Sequence, residues 1–223
     1  MNSTMQAGLE RLILVADPMC SWCYGFAPSL QAFLAQAPEI ELDLVLGGLR
    51  PDPGELLTAE GIAFRLGHWR RVQALSGLPF NPKALREGMR YSTEPISRAV
   101  VLAREQLPGQ GARQLAVFHA LQRGFYEQGL DTTAPEVLAE LLSQALAEQG
   151  VNLDAASALQ ALQSPPLARR TREDFERARS LHVNSFPTLL RQHGVHAAQP
   201  LHAGYASAAQ LRELWLAGVA HPS

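Results

Sequence analysis

The chain contains two cysteines, Cys20 and Cys23, and they lie close together in the segment DPMCSWCYGFAP. A cysteine thiolate attacks disulfides and binds metals, so a close pair suits either thiol–disulfide exchange or metal coordination. If Cys20 precedes a helix, Cys23 follows one turn later on the same face and can resolve a mixed disulfide formed at Cys20. The pair is also compatible with two small apolar residues that only fill space. The surrounding elements must decide among these interpretations.

Those elements place the cysteine pair at the end of a strand and the start of a helix. Residues 12–16 are continuously apolar, which is typical of a strand covered on both faces. A helix is predicted over residues 21–36 and a second strand over residues 40–46, a length that allows a parallel crossover. Cys20 therefore precedes the first helical turn, where free backbone N–H groups favour negative charge.

The rest of the chain divides into two parts. Residues 50–183 have mostly helical periodicity, and Phe64 and Trp69 are expected to pack inside this block. Residues 188–191 and 195–203 then predict a hairpin, and an amphipathic helix follows it. The predicted order is strand–helix–strand, a helical block, and strand–strand–helix.

These motifs resemble those of the thioredoxin superfamily. The segment CSWCYGFAP is similar to its redox motif, Pro28 stands where the helix of that fold is kinked, and the distant SFPT precedes a strand. The long helical insertion is similar to the DsbA-like branch, in particular its cytosolic FrnE-like members. The resemblance implies an α/β fold in which residues 9–50 and 183–220 form a discontinuous thioredoxin-like domain, with a large all-helical insertion at residues 51–182.

The resemblance also implies roles for individual residues. Cys20 is expected to be the nucleophile and Cys23 the resolving cysteine of a protein-disulfide oxidoreductase. Pro187 is expected to form a cis peptide bond beside the cysteines, and Phe186 to offer backbone hydrogen bonds to an extended substrate. Trp22 fits either a substrate contact or a lid on the helical block. The implied reaction is reduction or isomerisation of protein or peptide disulfides, without a metal or organic cofactor.

One position departs from the family pattern. Thioredoxins and DsbA proteins often bury a carboxylate six residues before the first cysteine, and here that residue is Leu14. The nearest acid is Asp17, which is expected to serve the turn that it forms with Pro18. Proton transfer to or from Cys23 is then left to water or to an acid elsewhere, so the redox potential stays open.

The sequence leaves three other functions open. A zinc site would combine the two cysteines with His193 and His196, although a CxxC that opens a helix after a buried strand is a poor start for a zinc knuckle. A glutathione-dependent isomerase or transferase of the kappa type acts on small molecules. Retention of both cysteines argues against that type but leaves glutathione open as a co-substrate. A non-enzymatic module would hold an extended peptide beside Pro187.

Composition limits the partners of the chain. It has 223 residues, 18% of them charged, and a formal net charge of −2, which predicts neither a nucleic-acid nor a membrane partner. No apolar run approaches the roughly 18 residues of a membrane span, and the first residues lack the pattern of a signal peptide. We therefore expect a cytoplasmic protein that acts as a monomer or homodimer.

Overall fold

A four-stranded sheet with strand order β2-β1-β5-β6 organises the computed structural model, which describes residues 10–220. The strands are β1 Glu10–Ala16, β2 Glu41–Leu46, β3 Glu55–Leu56, β4 Arg90–Tyr91, β5 Thr188–His193 and β6 Gln199–Ala203. The helices are α1 Ser21–Ala35, α2 Ala59–Ser76, α3 Glu94–Gln106, α4 Gly111–Tyr126, α5 Pro135–Glu148, α6 Ala155–Leu162, α7 Pro165–Ser180 and α8 Ala208–Ala220. Residue 9, where the predicted thioredoxin-like domain starts, lies outside the described residues.

Strand β1 is an inner strand of the sheet, with β2 on one side and β5 on the other. Its apolar residues are buried on both faces of the sheet. It pairs with β2 in parallel and with β5 antiparallel, so Leu14 lies opposite both Leu44 and Leu189. Successive side chains of a strand point to opposite faces, and Leu12 accordingly joins the main core whereas Ile13 joins a second cluster. Elements from both ends of the chain therefore share one sheet, as the predicted order requires.

Helices cover both faces of this sheet. On the face of the main core, α1 contacts α2, α4 and α8, and α4 also contacts β2. The approach of α4 depends on Gly111, because a Cβ atom there would overlap the backbone of Leu42. On the opposite face, Ala178 of α7 packs with Val15 and Val45. No helix among residues 10–220 has both the length and the hydropathy that crossing a membrane requires.

The region between β2 and β5 is helical, as predicted, but it is not all-helical. Besides α2 to α7 it contains a ribbon in which Glu55 pairs with Tyr91 and Leu56 with Arg90. Each strand of the ribbon has two residues, which is too short to produce a periodic pattern in the sequence. The division into an inserted domain at residues 51–182 and a discontinuous domain stays a prediction.

The hairpin formed by β5 and β6 has a longer loop than predicted. Strand β5 continues to His193 because it stays paired with β1 as far as Glu10. Strand β6 begins later than predicted, at Gln199, and as the edge strand of the sheet it accommodates Pro200. The order strand–helix–strand, helical block, strand–strand–helix is confirmed.

Candidate active site

Cys20 lies at the junction of β1 and α1, where the sequence predicts it. It is the N-cap residue of α1, and its carbonyl oxygen accepts a hydrogen bond from Tyr24 N–H at 3.1 Å. A tight turn precedes it, in which Cys20 N–H donates to the carbonyl oxygen of Asp17 at 3.1 Å. This end of a helix is the one at which free N–H groups favour negative charge. Pro28 lies inside α1, which continues to Ala35.

The two cysteines have different surroundings. Cys20 is 8% exposed and lines a cavity of about 290 Å³, whereas Cys23, one turn later, is 2% exposed. Both are free thiols. Burial raises the pKa of Cys23 well above its ordinary value, and the hydrogen bond and charge of Cys20 raise it further. Cys20 is thus the sulfur that a molecule in the cavity reaches.

The segment before β5 comes close to Cys20. The Cys20 thiol donates a hydrogen bond to the carbonyl oxygen of Phe186 at 3.5 Å, and the peptide bond between Phe186 and Pro187 is cis, as the resemblance implies. The Pro187 carbonyl oxygen accepts a hydrogen bond from Gly204 N–H at 2.8 Å, which ties the segment to the residue after β6. The Phe186 ring packs directly on Gly47, where a Cβ atom would overlap it.

Three of the predicted site residues, Cys20, Trp22 and Phe186, line the cavity, whereas Cys23 and Pro187 are buried. The half-buried Trp22 also packs against the main core, so a substrate contact and a lid on the helical block both stay predictions for it. Several lining residues were not singled out in the sequence, namely Leu49, Arg50, Arg65, His68 and Asn184. For Leu49 and Arg50 the sequence did contain a signal, since both follow β2. The carboxyl ends of parallel strands meet at one edge of a sheet, so residues that follow β2 are expected near Cys20, which follows β1.

Helix α2 supplies a wall of the cavity that the sequence analysis missed. Trp69 is buried as predicted, but Phe64 is 67% exposed and lies against His68, with ring centroids 4.7 Å apart. The prediction for Phe64 was wrong because α2 turns this residue towards the cavity instead of the core. Arg65 stacks over the ring of Tyr91 at 4.5 Å from its centroid. Phe64 and His68 are one helical turn apart in the sequence, and this spacing would have predicted that they share one face of α2.

The fold is similar to that of known proteins. A family model described as a DSBA-like thioredoxin domain matches residues 11–203. The chain belongs to this family. The match confirms the DsbA-like branch, the α/β thioredoxin-like fold with a helical insertion and, at the level of the family, thiol–disulfide oxidoreductase chemistry. Among curated proteins, none matches the sequence significantly.

Solved structures match this DsbA-like chain over nearly its whole length. A putative protein disulfide isomerase from Nitrosomonas europaea is 29% identical, and the match covers 95% of this chain and 98% of that one with a TM-score of 0.79. The cytosolic disulfide reductase DsbM from Pseudomonas aeruginosa is 26% identical, with coverage of 94% and 98% and a TM-score of 0.71. A structure of DsbM with GSH is 25% identical, with coverage of 95% and 100% and a TM-score of 0.69.

The DsbA-like site also contains a buried carboxylate that the sequence assigns only to a turn. The turn role of Asp17 is confirmed, because its Oδ1 accepts a hydrogen bond from Met19 N–H at 2.8 Å. Its Oδ2 accepts a second bond from Leu49 N–H at 2.7 Å, and the side chain is fully buried. Burial raises the pKa of Asp17 to about 6, although the two backbone hydrogen bonds lower it. Leu14, where the family often has its acid, packs in the main core.

The structure places the two histidines of the zinc alternative away from the cysteines. His193 lies opposite Glu10 at the start of β1, and its Nδ1 is 2.9 Å from Glu10 Oε1. Cys20 follows the other end of this seven-residue strand, a separation of roughly 20 Å. Within the described part of the chain, no group of three or more His, Cys, Asp or Glu side chains could hold a metal ion. The described structure therefore does not bring His193 together with the two cysteines.

Proposed function

We propose that this protein reduces or isomerises disulfides of proteins or peptides, with Cys20 as nucleophile and Cys23 as resolving cysteine. The position of the Cys20 sulfur carries the proposal, because it lies at a helix start, lines the cavity and contacts the Phe186 carbonyl oxygen. The burial of Cys23 one turn later supports a resolving role, in which it attacks the mixed disulfide from the interior. Membership of the DSBA-like family supports this chemistry.

The proposed reaction has two balanced steps. The Cys20 thiolate attacks one sulfur of the substrate disulfide, which forms a mixed disulfide and releases one substrate thiolate. Cys23 then loses its proton and attacks Cys20, which forms the Cys20–Cys23 disulfide and releases the second substrate thiolate. The substrate gains the two electrons that the dithiol loses. Because only sulfur atoms react, the proposal includes no metal or organic cofactor.

The substrate and the direction of the reaction belong to the same proposal. The Phe186 carbonyl group and the half-buried Trp22 form a wall of the cavity that suits an extended peptide. DsbM is described as a cytosolic disulfide reductase, and we propose the same compartment and direction here. A reducing compartment favours reduction or isomerisation over net oxidation. A monomer or a homodimer is sufficient for this reaction.

Trapping with Cys23→Ser tests the proposed roles. Without the resolving thiol, Cys20 is expected to stay covalently joined to its substrate, and mass spectrometry of unreduced adducts from a lysate identifies it. Cys20→Ser is the matched control, since it keeps Cys23 but lacks the nucleophile. Equal trapping by both variants, or no adduct combined with wild-type protein that fails to reduce insulin, would contradict the proposal.

A second candidate function is a glutathione-dependent reaction on small molecules. Arg50 Nε lies 3.5 Å from Glu55 Oε1, and Arg65 pairs with the same carboxylate, so two guanidinium groups beside the cavity share one acid. This excess of positive charge suits the carboxylates of glutathione, and a DsbM structure contains GSH. A Cys23→Ser trap that recovers glutathione alone favours this candidate over protein disulfides.

A third candidate is a non-enzymatic module that binds an extended peptide beside Pro187. Replacing Cys20 and Cys23 together by serine separates this candidate from both enzymes. The peptides recovered by trapping are the probes. If the double variant binds them with the same affinity as wild type, and wild-type protein turns none of them over, the module is the better assignment. Loss of turnover and binding together supports the enzyme.

A further inference from the structure

The cavity beside Cys20 carries positive charge. Arg50, Arg65 and His68 line it, and among the described residues no Asp or Glu side chain does. Burial lowers the pKa of His68, and the charge of Arg71 lowers it further, so the two arginines carry the charge at neutral pH. The chain as a whole has a formal net charge of −2. The cavity is therefore opposite in sign to the molecule that contains it.

The carboxylate of Glu55 pairs with both arginines, although Glu55 is not among the residues that line the cavity. Arg50 Nε lies 3.5 Å from Glu55 Oε1, and Arg65 Nη2 donates a hydrogen bond to the same oxygen. Glu55 belongs to the two-residue strand β3, and its side chain is 44% exposed. Ion pairs at such exposed positions contribute little to stability, because water competes for both partners. An anion in the cavity can therefore replace Glu55 at low cost.

The two guanidinium groups are held to different degrees. Arg65 is 15% exposed, stacks over the Tyr91 ring at 4.5 Å from its centroid, and donates from Nη1 to the Gly61 carbonyl oxygen at 3.0 Å. Arg50 is 46% exposed, and its Nη1 donates to the Leu49 carbonyl oxygen at 2.8 Å. A guanidinium group has more N–H donors than that one contact uses, and its shape matches a carboxylate. Arg50 thus has donors for a second carboxylate beside the fixed Arg65.

We propose that Arg50 and Arg65 bind a carboxylate next to the reacting disulfide of the substrate, and that Glu55 competes with it for both guanidinium groups. The inference rests on the proposed function and names its substrate class, which is disulfides with an acidic group close to the cysteine. A carboxylate on Arg50 holds the neighbouring disulfide in the cavity that Cys20 lines. Glu55 sets the selectivity, since it weakens the binding of acidic substrates and reduces the repulsion of basic ones.

Matched peptide disulfides measure this selectivity in the reduced full-length protein. The substrates are disulfide-linked homodimers of acetylated and amidated dipeptides of sequence Glu-Cys, Gln-Cys and Lys-Cys. Chromatography of acid-quenched samples gives the second-order rate constant for release of the first peptide thiol. Each rate constant is divided by that of dithiothreitol with the same substrate, which removes intrinsic differences in reactivity. Dividing the Glu-Cys value by the Gln-Cys value then cancels any change in the Cys20 thiolate between variants.

This acidic-to-neutral ratio should respond in opposite directions to two substitutions. Arg50→Gln should lower the ratio at least about three-fold, and Glu55→Gln should raise it by a similar factor while the Lys-Cys substrate becomes slower. Both effects should shrink in 1 M salt, because salt screens exposed charges. An ion pair that only joins β3 to α2 would not distinguish acidic from neutral substrates.

Glu60→Gln is the matched control for the loss of one negative charge. Glu60 lies in the first turn of α2, the helix of Arg65, and its carboxylate bonds within its own turn, with Thr58 as a partner. The control should keep the acidic-to-neutral ratio within about 1.5-fold of wild type. An equal rise in Glu60→Gln and Glu55→Gln would mean that overall charge sets the ratio, which contradicts a specific site.

Glutathione disulfide, compared with Gln-Cys in the same way, identifies the source of the carboxylate. A change in the glutathione ratio alone assigns the site to glutathione, whereas a change in the Glu-Cys ratio, with or without it, assigns the site to acidic peptides. A ratio that falls in Arg50→Gln but does not rise in Glu55→Gln contradicts the competing role of Glu55.

The outcomes also separate the inference from the function on which it rests. If neither ratio moves in Arg50→Gln or Glu55→Gln, the inference fails and the proposed function stands. If wild-type protein releases no thiol from any of these disulfides, the proposed function itself fails.

Discussion

At the scale of single residues, burial distinguishes side chains that look equivalent in the sequence. Cys20 and Cys23 differ in that one lines the cavity and the other lies behind it, which is the asymmetry that a nucleophile and a resolving thiol require. The same applies to Asp17, one of many acids in the sequence but one that is fully buried in the turn before Cys20. The chemistry of the site therefore depends on which side chains the fold removes from water.

Iodoacetamide should alkylate Cys20 in the native reduced protein and leave Cys23 mostly unmodified. Burial raises the pKa of Cys23, so its reactive thiolate is scarce at neutral pH. Peptide mass mapping after a brief exposure should show at least about a ten-fold preference for Cys20, and urea should abolish the preference. Faster labelling of Cys23 in the native state would show that the two environments are assigned the wrong way round.

Asp17 should make the fold gain stability in mild acid relative to Asp17→Asn, which has no titrating group at this position. Its pKa is about 6 in the folded state against an ordinary value of 3.8, so the folded state binds the proton more readily. The contribution is fully present below 3.8 and is lost as the pH rises through 6. Its size is on the order of 3 kcal/mol.

Urea denaturation of wild type and Asp17→Asn across about pH 4 to 7 measures this contribution as a difference in free energy of unfolding. The wild type should gain relative to the variant as the pH falls. A difference that is constant over this range contradicts the raised pKa, and it does so whatever the absolute stability of the variant.

At the scale of elements, local patterns predict strands and helix starts but not the walls of the cavity. The apolar run at residues 12–16 and the helix after Cys20 have signals within a few neighbouring residues. The burial of Asp17 instead depends on Leu49, which is 32 residues away, and nothing in the local sequence indicates that contact. The exposure of Phe64 likewise depends on where α2 packs, because tertiary placement decides which face of a helix meets solvent.

Gly47→Ala should disturb the loop that contacts Cys20. Gly47 follows β2, and its N–H donates to the Ala16 carbonyl oxygen at 2.8 Å, so its backbone is held in the sheet. A Cβ atom there overlaps the Phe186 ring, which must move and take with it the carbonyl group that contacts Cys20. Overpacking of this kind costs about 1–3 kcal/mol.

Thermal unfolding and the rate of insulin reduction measure the effect of Gly47→Ala, and both should decrease. Gly67→Ala in α2 is the matched control, because its Cβ atom meets nothing closer than a guanidinium nitrogen of Arg70 at 4.0 Å. Alanine in a helix interior is favourable relative to glycine by about 1 kcal/mol, so the control should be at least as stable as wild type. A neutral Gly47→Ala would mean that Phe186 has room to move without affecting Cys20.

At the scale of the whole molecule, a buried ion pair joins the helical insertion to the sheet. Arg104 of α3 binds Asp174 of α7 through two hydrogen bonds, Nη1–Oδ2 at 2.8 Å and Nη2–Oδ1 at 3.0 Å. Asp174 Oδ2 also accepts a hydrogen bond from Leu46 N–H of β2 at 2.8 Å, and Arg104 donates to the Leu44 carbonyl oxygen. Two helices of the insertion and a strand of the sheet therefore meet at one charged contact.

Asp174→Asn should destabilise the insertion and the sheet together, in one cooperative unfolding transition. The substitution leaves the largely buried Arg104 without its countercharge, and breaking a buried pair in this way costs about 3–5 kcal/mol. The matched control is Arg170→Gln, which breaks an exposed pair between the same two helices, Arg170 Nη2 to Glu105 Oε2 at 3.1 Å. This control should cost at most about 1 kcal/mol.

Urea denaturation followed by circular dichroism and by tryptophan fluorescence tests this prediction, since Trp69 lies in α2 and Trp215 in α8. If the wild type itself gave two separate transitions, the insertion would unfold on its own, and the pair would not couple it to the site that Cys20 occupies.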